Sequence, residues 1–262
     1  MIPKPSHLGN EYGAQFTDDS VVDVYHLRPP YPVAVFRQLV TLLAGASRLV
    51  LDLGCGTGEI ARPLAPMVDV VDAVDQSEMM LHKGRQSPGG SAATIRWIHA
   101  RAEDAPFHPP YDLVVAGASL HWMEWDVVLP RIARVLAPDG FLAIVELKEE
   151  PAAWVEEIAP LLRRFSTNRD FRPYDIVQEL EQRNLFEVKG RFRSDPVRLR
   201  QSIPDYIESF HARNGFSRDR MTTDAANAFD REMEQVIRRH TSSNRLTLQV
   251  RGSVVWGRPV PE

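Results

Sequence analysis

One stretch decides the fold of this chain: Leu49-Val50-Leu51-Asp52-Leu53-Gly54-Cys55-Gly56-Thr57-Gly58. Its first half is apolar and partly β-branched, which predicts a buried strand. Three alternate glycines follow, and glycine lets the backbone turn sharply and lets a ligand lie against it. Asp52 stands where the strand runs out, so we expect its carboxylate to face a cationic or hydroxylated ligand.

The glycine spacing leaves two classes of cofactor loop to compare. Dinucleotide-binding proteins use Gly-x-Gly-x-x-Gly, but here Glu59 occupies the third position, where it would crowd the helix and repel a pyrophosphate. Asp-x-Gly-x-Gly-x-Gly after a strand resembles instead the cofactor loop of the class I S-adenosylmethionine (SAM) methyltransferases. The resemblance implies that five residues of the loop contact the cofactor: Asp52, Gly54, Cys55, Gly56 and Gly58.

Two further predicted strands bring acids to the same edge of the sheet. Residues 68–74 form an apolar run that ends in Asp75, and an acid there can accept hydrogen bonds from both ribose hydroxyls. Residues 94–98 lead into a segment similar to the one with which the family recognises adenine, and Glu103 and Asp104 are alternatives for that role. The resemblance implies these cofactor contacts: Asp75, Gln76, Met80, Ala102, and Glu103 or Asp104.

The fourth predicted strand, residues 111–116, ends at the expected junction of cofactor and acceptor. Ligands of such sheets lie beyond the carboxyl ends of the strands, so we expect Ala116 and Gly117 to contact the cofactor. The next residues, Ser119-Leu120-His121-Trp122, are similar to the Ser-Leu-His-Trp of the plant carboxyl methyltransferases, where His and Trp hold the substrate carboxylate. Trp122 is thus a substrate-binding candidate.

His121 is the catalytic candidate, since it is the only residue of these motifs that can act as a base near neutral pH. Two roles compete for it: a hydrogen-bond donor to a carboxylate, or a base toward a hydroxyl. A histidine that only orders its loop by bonding the backbone is the third interpretation.

A proline-rich segment before the first strand is expected to close over the cofactor. Residues 25–32 resemble the Tyr-x-x-x-Arg-Pro-x-Tyr-Pro segment that forms a lid over SAM in many small-molecule methyltransferases. The resemblance implies that Tyr25 and Arg28 contact the methionine end, Arg28 through its planar fork. The alternative is a helix start shaped by prolines, with Arg28 exposed.

The C-terminal half is expected to roof the substrate. Residues 205–213 resemble the helical insert above the active site in relatives of the trans-aconitate and juvenile-hormone-acid methyltransferases. The candidate substrate contacts there are Tyr206, Phe210, His211 and Arg213. Their alternative roles are ordinary ones, such as core packing for Phe210 and surface exposure for Arg213.

The predicted fold is α/β, a doubly wound seven-stranded Rossmann-like methyltransferase sheet for which the resemblance implies the strand order 3-2-1-4-5-7-6. The sixth strand begins at Phe186 and the seventh covers residues 246–256. We expect a single domain with an N-terminal lid and first helix (1–45), a SAM-binding core (46–150) and a C-terminal half (151–262). A helical cap at about residues 196–244 fills the long gap between the last two strands.

Composition and charge limit the classes of molecule that the chain is expected to bind. The 262 residues carry a net charge of −4, whereas nucleic-acid methylases usually show a basic footprint, so no nucleic acid is expected. No apolar run approaches the roughly 20 residues of a membrane span, so no membrane is expected. The single cysteine, Cys55, cannot form an internal disulfide, which fits the cytoplasm. No metal is expected, because histidines and acids do not pair at ligand spacing.

The sequence is therefore identified as a member of the class I SAM-dependent methyltransferases, in the type 11 domain branch. The predicted reaction transfers a methyl group from SAM to a small-molecule acceptor, favouring a carboxylate or hydroxyl oxygen and leaving S-adenosylhomocysteine (SAH). The alternatives are N- or C-methylation in specialised metabolism, and a scaffold protein that binds SAM without transferring its methyl group. A monomer and a homodimer are both compatible with the sequence.

Overall fold

The computed structural model describes residues 4–43 and 48–260, and the eight strands of these residues form one sheet. The expected boundary between residues 45 and 46 lies outside the described residues. The strands are β1 (Leu49–Leu53), β2 (Val70–Asp75), β3 (Ile95–His99), β4 (Tyr111–Gly117), β5 (Leu136–Glu149), β6 (Phe186–Arg193), β7 (Val197–Ser202) and β8 (Arg245–Pro259).

The strand order is β3-β2-β1-β4-β5-β8-β6, with β7 paired to β8. β1 to β5 run parallel, and β8 runs antiparallel to its neighbours. The predicted order 3-2-1-4-5-7-6 is thus confirmed, because β8 is the strand expected as the seventh.

One strand was not expected, since β7 lies inside the stretch predicted to be a helical cap. β6 pairs with residues 253–259 of β8, whereas β7 pairs with residues 245–250 along the same edge. A backbone edge left without partners must find other hydrogen bonds, so β7 completes the edge that β6 leaves open.

Helices cover both faces of the sheet. They are α1 (Asn10–Gly13), α2 (Asp19–Val24), α3 (Val33–Thr41), α4 (Ala61–Leu64), α5 (Glu78–Gln86), α6 (Trp125–Val135), α7 (Val155–Phe165), α8 (Ile176–Gln182), α9 (Ile203–Glu208) and α10 (Thr223–His240). Short 3-10 helices occupy Ser6–Leu8, Ala14–Thr17, Tyr25–Leu27, Ala65–Met67, Leu120–Trp122 and Ser209–Ala212. No helix of the described residues combines the length and the apolar character needed to cross a bilayer.

Three large apolar clusters hold most of these elements, and a small fourth one packs α2 against α5. One face of the sheet packs against α6 and α8, and the other against α3, α4 and α5. A third cluster joins α7, α9 and α10 to the first half of β8. The buried face of α10 is the one that its sequence periodicity predicts: Ala226, Phe229, Met233, Val236 and Ile237.

Candidate cofactor and acceptor site

A cavity of about 290 Å³ opens at the carboxyl ends of β1, β2 and β4. Such an edge, where the strand order reverses, is where ligands bind in open α/β sheets. The cavity wall also includes part of the N-terminal segment, residues 4–32. The predicted residues in this wall are Tyr25, Arg28, Gly54, Gly56, Asp75, Gln76, Met80, Ala102, Glu103, Gly117 and Trp122.

A smaller cavity of about 60 Å³ adjoins the first one. The two share walls formed by Tyr25, Arg28, Gly54 and Gly117. Asp52 and Cys55, both predicted cofactor contacts, line only the smaller cavity. Together the two cavities form one elongated site, and the contacts that its residues make with a cofactor stay predictions.

The loop after β1, residues 54–58, has a backbone conformation that favours glycine. Gly54, Gly56 and Gly58 have φ values of +67°, +56° and +81°, which side-chain-bearing residues rarely adopt. The loop is held to the sheet because the N–H groups of Gly54 and Cys55 donate to the carbonyl oxygen of Val74 at 2.8 and 3.0 Å. Gly58 lies outside both cavities and packs against Trp97 instead.

Asp75 links the loop to the end of β2. Its two carboxylate oxygens accept hydrogen bonds from the N–H groups of Gly56 and Ser77, each at 2.8 Å. Burial raises the pKa of Asp75, and these two N–H groups oppose that rise. The acid is thereby fixed in the cavity wall, with its remaining lone pairs available to hydroxyl donors.

Asp52 is buried at the floor of the smaller cavity. Its Oδ2 accepts a hydrogen bond from the N–H of Ala61 at 3.0 Å. Burial raises its pKa to about 7, and the nearby charge of Asp75 acts in the same direction. A cationic group placed beside Asp52 would favour its charged form. Glu59, the residue that argued against a dinucleotide loop, lines the same cavity and pairs with Arg62.

The N-terminal segment places Tyr25 and Arg28 over the loop. Arg28 Nη1 donates to the Tyr25 hydroxyl at 3.0 Å, and its guanidinium lies 5.1 Å from the centre of the Tyr25 ring. Arg28 is half-buried, so the alternative of an exposed Arg28 does not hold. A Cβ atom on Gly56 would lie 3.4 Å from the Tyr25 hydroxyl, which shows how closely the segment approaches the loop.

The structure separates the two acids proposed for adenine. Glu103 lines the larger cavity, and its Oε1 accepts a hydrogen bond from the N–H of Glu124 at 2.8 Å. Asp104 is exposed and lies outside both cavities. Glu103 is therefore the acid placed to meet a ligand in the cavity.

The end of β4 makes an unusual turn at the junction of the two cavities. Ala118 lines both cavities with a φ of +49°, a conformation that costs a non-glycine residue energy and is concentrated at functional sites. Ser119 fixes the turn by donating from its hydroxyl to the carbonyl oxygen of Leu53 at 2.6 Å. Ala116, predicted to contact the cofactor, is fully buried below the turn and lines neither cavity.

His121 lies next to the cavity wall and does not form part of it. Its ring contacts Trp122, with 4.5 Å between ring centres, and Tyr174, at 5.7 Å. Neither ring nitrogen has a hydrogen-bond partner in the part of the chain that the structure describes, so a loop-ordering bond to the backbone is not present there. Burial, with the charges of Lys4 and Arg28, lowers the pKa of His121 to about 3. The ring is therefore neutral at pH 7 and a weak base.

The cap residues predicted to contact substrate do not reach either cavity. Tyr206 and Phe210 belong to the apolar core of the cap, which the helical pattern alone did not distinguish from a cavity-facing row. His211 is fully buried, with its nitrogens 2.7 Å from the Phe216 carbonyl oxygen and 2.8 Å from Asp230 Oδ1. Arg213 pairs with Glu149 and lies over the Phe210 ring.

His211 also takes part in a group that the sequence did not suggest. Ligand atoms of Glu208, His211 and Asp230 lie within 4.8 Å of one another, although the residues are up to 22 positions apart. Arg218 already bridges the two carboxylates, with Nη2 at 2.6 Å from Glu208 and 2.7 Å from Asp230. A guanidinium thus supplies the positive charge that a metal ion would bring.

Sequence reasoning missed part of the cavity wall. Ser119 is the first residue of the Ser-Leu-His-Trp motif and Met123 follows its last, and both line the cavity. The motif could therefore have indicated them. Gly13 and Ala14 carry no motif, and only the fold brings them to the cavity. Gly13 fits there because a Cβ atom would lie 3.2 Å from Trp122 Cβ.

Comparisons with known proteins find similar methyltransferases. Residues 50–140 match the family model described as "Methyltransferase domain". An uncharacterized methyltransferase of Mycobacterium tuberculosis is 34% identical over 140 residues, which cover 52% of this chain and 54% of that protein. The trans-aconitate 2-methyltransferase of Delftia acidovorans is 37% identical over 105 residues, 37% of each chain.

A solved structure extends the likeness to most of the chain. A protein from Anaeromyxobacter dehalogenans, provisionally described as a type II methyltransferase, matches with a TM-score of 0.64 and 25% identity. The match covers 90% of this chain and 99% of that one. The chain spans about half the length of the first curated relatives it matches.

Proposed function

On the premise that residues 50–140 are a methyltransferase domain of the class I, SAM-dependent family, we propose that this chain transfers a methyl group to a small molecule. SAM is the cofactor of that family, and its sulfonium supplies an electrophilic methyl group. The observation that carries the proposal is the elongated site at the carboxyl ends of β1, β2 and β4, with Asp75 fixed in its wall.

The residues of the site fit this cofactor in charge and shape. Asp75 offers carboxylate lone pairs to ribose hydroxyls, and Glu103 offers an acceptor to the exocyclic amine of adenine. Asp52 and Arg28 line the smaller cavity. Their carboxylate and guanidinium would pair with the ammonium and the carboxylate of the methionine part of SAM. Gly56 lies close to Tyr25, and a Cβ atom at position 56 would narrow the space between the loop and the Tyr25 side chain.

The chain's own residues then have separate tasks. Tyr25 and Trp122 present aromatic rings to the cavity, and such faces favour a cationic group. The N-terminal segment excludes water, which favours the approach of a nucleophile to the methyl carbon. His121 is a weak base because of its low pKa, so we propose that it donates a hydrogen bond to an oxygen acceptor.

A carboxylate acceptor is favoured over a neutral hydroxyl or a carbon acid for the same reason. A carboxylate is its own nucleophile and needs donors, whereas a neutral hydroxyl or a carbon acid needs a proton removed. Three acids that line the two cavities, Asp52, Asp75 and Glu103, have cofactor-binding roles in this proposal, and a fourth, Glu59, pairs with Arg62, so no base is assigned to the acceptor. The likeness to the trans-aconitate 2-methyltransferase, whose name indicates a carboxylate substrate, supports this proposal.

The first test is calorimetric titration of the purified protein with SAM, SAH and NAD⁺. We expect micromolar binding of SAM and SAH, no binding of NAD⁺, and loss of SAM binding in Asp75→Ala. Asp69→Ala is the matched control, because Asp69 is exposed just before the same strand. Binding of NAD⁺ alone, or of none of the three, would refute the proposal.

A transfer assay separates the enzyme from a scaffold protein that only binds the cofactor. The wild-type protein is incubated with SAM and a mixture of carboxylic acids, phenols and amines, and methylated products are identified by mass spectrometry. Methyl esters or ethers support the proposed acceptor class. Methylated amines alone would replace oxygen with nitrogen as the acceptor atom. SAM binding with no product from any class would favour the scaffold.

A further inference from the structure

Arg131 on α6 holds the loop that carries Glu103. We call residues 100–107, which follow β3, the base loop. Arg131 Nη1 donates to the carbonyl oxygen of Ala102 at 2.7 Å, and Nη2 donates to that of Ala105 at 2.6 Å. The guanidinium also lies 4.4 Å from the centre of the Phe107 ring. A planar fork suits two acceptors at once, and hydrogen bonds from a charged donor are stronger than neutral ones.

The base loop connects the contact with α6 to the wall of the larger cavity. It makes a tight turn, in which the carbonyl oxygen of Arg101 accepts from the N–H groups of Asp104 and Ala105 at 3.0 and 2.9 Å. Ala105 is fully buried, whereas Ala102 and Glu103 line the larger cavity. Because Ala102 is both a cavity residue and an acceptor of Arg131, a shift of its carbonyl group also moves Glu103 next to it.

The start of α6 makes a second contact with the base loop. The N–H of Glu124, the residue before the helix, donates to Glu103 Oε1 at 2.8 Å. Glu103 Oε2 accepts from Arg101 Nε at 3.3 Å. The Glu103 side chain is 12% exposed, and each carboxylate oxygen keeps a further lone pair for a ligand. The orientation of this carboxylate therefore depends on α6, through Glu124 at its start and through Arg131 farther along.

The acid assigned to the ribose is held by other elements. Asp75 accepts from the N–H groups of Gly56, in the loop after β1, and Ser77, just before α5. No contact of Arg131 reaches these residues in the described part of the chain. The anchors for the two halves of a nucleoside are thus built separately. A change at Arg131 should disturb recognition of the base and leave the ribose contact in place.

We infer that Arg131 is a positioning residue for recognition of the base. It holds the carbonyl groups of Ala102 and Ala105 and so keeps Glu103 where it accepts from the exocyclic amine of adenine. This inference rests on the proposed function, because the base belongs to SAM. Arg131 itself lines neither cavity, so it acts only through the base loop. A hydrogen bond weakens steeply as its length and angle depart from the ideal, so a small shift of the loop reduces the preference for an amine.

The test compares SAH with S-inosylhomocysteine, in which a carbonyl oxygen replaces the amine of the base. Calorimetry gives the Kd of each ligand for the full-length wild type and for Arg131→Met, which keeps an aliphatic chain and removes the donors. The wild type should bind SAH at least about tenfold more tightly, because Glu103 accepts from an amine and repels a carbonyl oxygen. In Arg131→Met the Kd of SAH should rise about tenfold, while that of S-inosylhomocysteine changes less than about twofold.

The ratio of the two Kd values separates a positioning role from a structural one. A merely structural role of Arg131 predicts that both ligands are weakened equally, so the ratio would not change. Arg131→Lys offers one point donor in place of the fork, so its ratio should lie between those of the wild type and Arg131→Met. Arg134→Met, at an exposed position of the same helix, is the control and should keep the wild-type ratio.

The outcomes distinguish this inference from the proposed function. A wild-type ratio in Arg131→Met, or in Arg131→Lys where Arg131→Met does not fold, overturns the inference. A wild-type protein that binds both ligands equally overturns it as well. In each of these cases SAH still binds to the wild type, and the proposed function stands. A wild-type protein that binds neither ligand refutes the proposed function itself.

Discussion

The carboxylate of Asp18 accepts a hydrogen bond from the hydroxyl of Ser217 at 2.6 Å, although 199 positions separate the two residues. Arg220 donates to the same oxygen at 2.7 Å. Asp18 belongs to the N-terminal segment that lies over the cavity, and Ser217 belongs to the cap. The Gln201 side chain adds a further link by donating to the carbonyl oxygen of Leu27 at 2.8 Å. The segment and the cap are thus joined above the site.

The first prediction is that the contact between Asp18 and the cap limits the release of the cofactor. Asp18→Ala removes the shared acceptor of Ser217 and Arg220, so the N-terminal segment should open more often. Hydrogen bonds to charged groups contribute about 1.5–3 kcal/mol each, and about 1.4 kcal/mol corresponds to a tenfold change in rate. We expect the dissociation rate of SAH, measured by stopped-flow fluorescence, to rise about tenfold or more.

Asp19→Ala is the matched control for that experiment. Asp19 is exposed, adjacent to Asp18, and makes no side-chain hydrogen bond within the described residues. Its removal should leave the SAH dissociation rate close to that of the wild type. Equal rates for Asp18→Ala and the wild type would show that the contact does not limit cofactor release.

The second prediction separates backbone strain from lost space in the glycine loop. Gly54 and Gly89 have similar φ values of +67° and +81°, so alanine strains both backbones. A Cβ atom on Gly54 would lie 2.5 Å from Ser119 Cβ, whereas one on Gly89 has no neighbour closer than 3.7 Å. Gly54→Ala should therefore lower stability by about 1–3 kcal/mol more than Gly89→Ala and abolish SAH binding. Urea unfolding and calorimetry measure the two effects.

The third prediction is a pH dependence of stability caused by Asp52. Its pKa is raised to about 7 in the folded chain, while an unfolded aspartate titrates near 3.9. The folded state therefore holds one more proton between these values, and stability falls as pH rises from about 4 to about 7. The full loss is on the order of 4 kcal/mol.

Asp52→Asn tests that assignment, because the amide keeps an acceptor for Ala61 and does not titrate. Urea unfolding across the same pH range should give a smaller decline in the free energy of unfolding for this variant. Asp69→Asn, at an exposed site, should behave like the wild type. Parallel curves for Asp52→Asn and the wild type would assign the decline to other groups.

The fourth prediction concerns the charged group inside the cap. Arg218→Met keeps the aliphatic stem but leaves Glu208 and Asp230 facing each other without a cation. All three side chains are about one third exposed, so solvent reduces the effect, and we expect a loss of about 1–3 kcal/mol. Arg239→Met, which breaks an exposed pair with Glu157, should leave the unfolding midpoint close to that of the wild type. Differential scanning calorimetry compares the midpoints.

Treatment of the wild type with a chelator should leave the same midpoint unchanged. Arg218 lies between Glu208 and Asp230, where a metal ion would have to bind. A lower midpoint after removal of metal would instead assign the group Glu208, His211 and Asp230 to a cation.

Local patterns account for what the sequence predicted well. The apolar runs that form β1, β2 and β4 are decided within a few residues, and the glycines after β1 are needed for a backbone that only glycine adopts easily. Parallel pairing then brings Asp75 to the same edge as the loop. The location of the cavity wall follows from these features, whereas the strand order was predicted from the family resemblance.

The features that the sequence did not predict depend on contacts between residues far apart in the chain. β7 exists because β6 leaves half of one β8 edge open, and no pattern in residues 197–202 reveals that partner. The helical periodicity of residues 204–213 marks a buried face but does not say what covers it, and α10 covers Phe210. Gly13 and Ala14 reach the cavity only through the path of the whole N-terminal segment.

The position of β8 between β5 and β6 has a consequence for how the chain folds during synthesis. β5 ends at Glu149, and its outer neighbour begins at Arg245, almost one hundred positions later. Within residues 4–43 and 48–260, β6 and β7 pair only with β8, so both remain unpaired on the ribosome until β8 has been made. Non-local pairing of this kind is slow and exposes strand edges. The parallel half and its loop can assemble early, whereas the cap forms last.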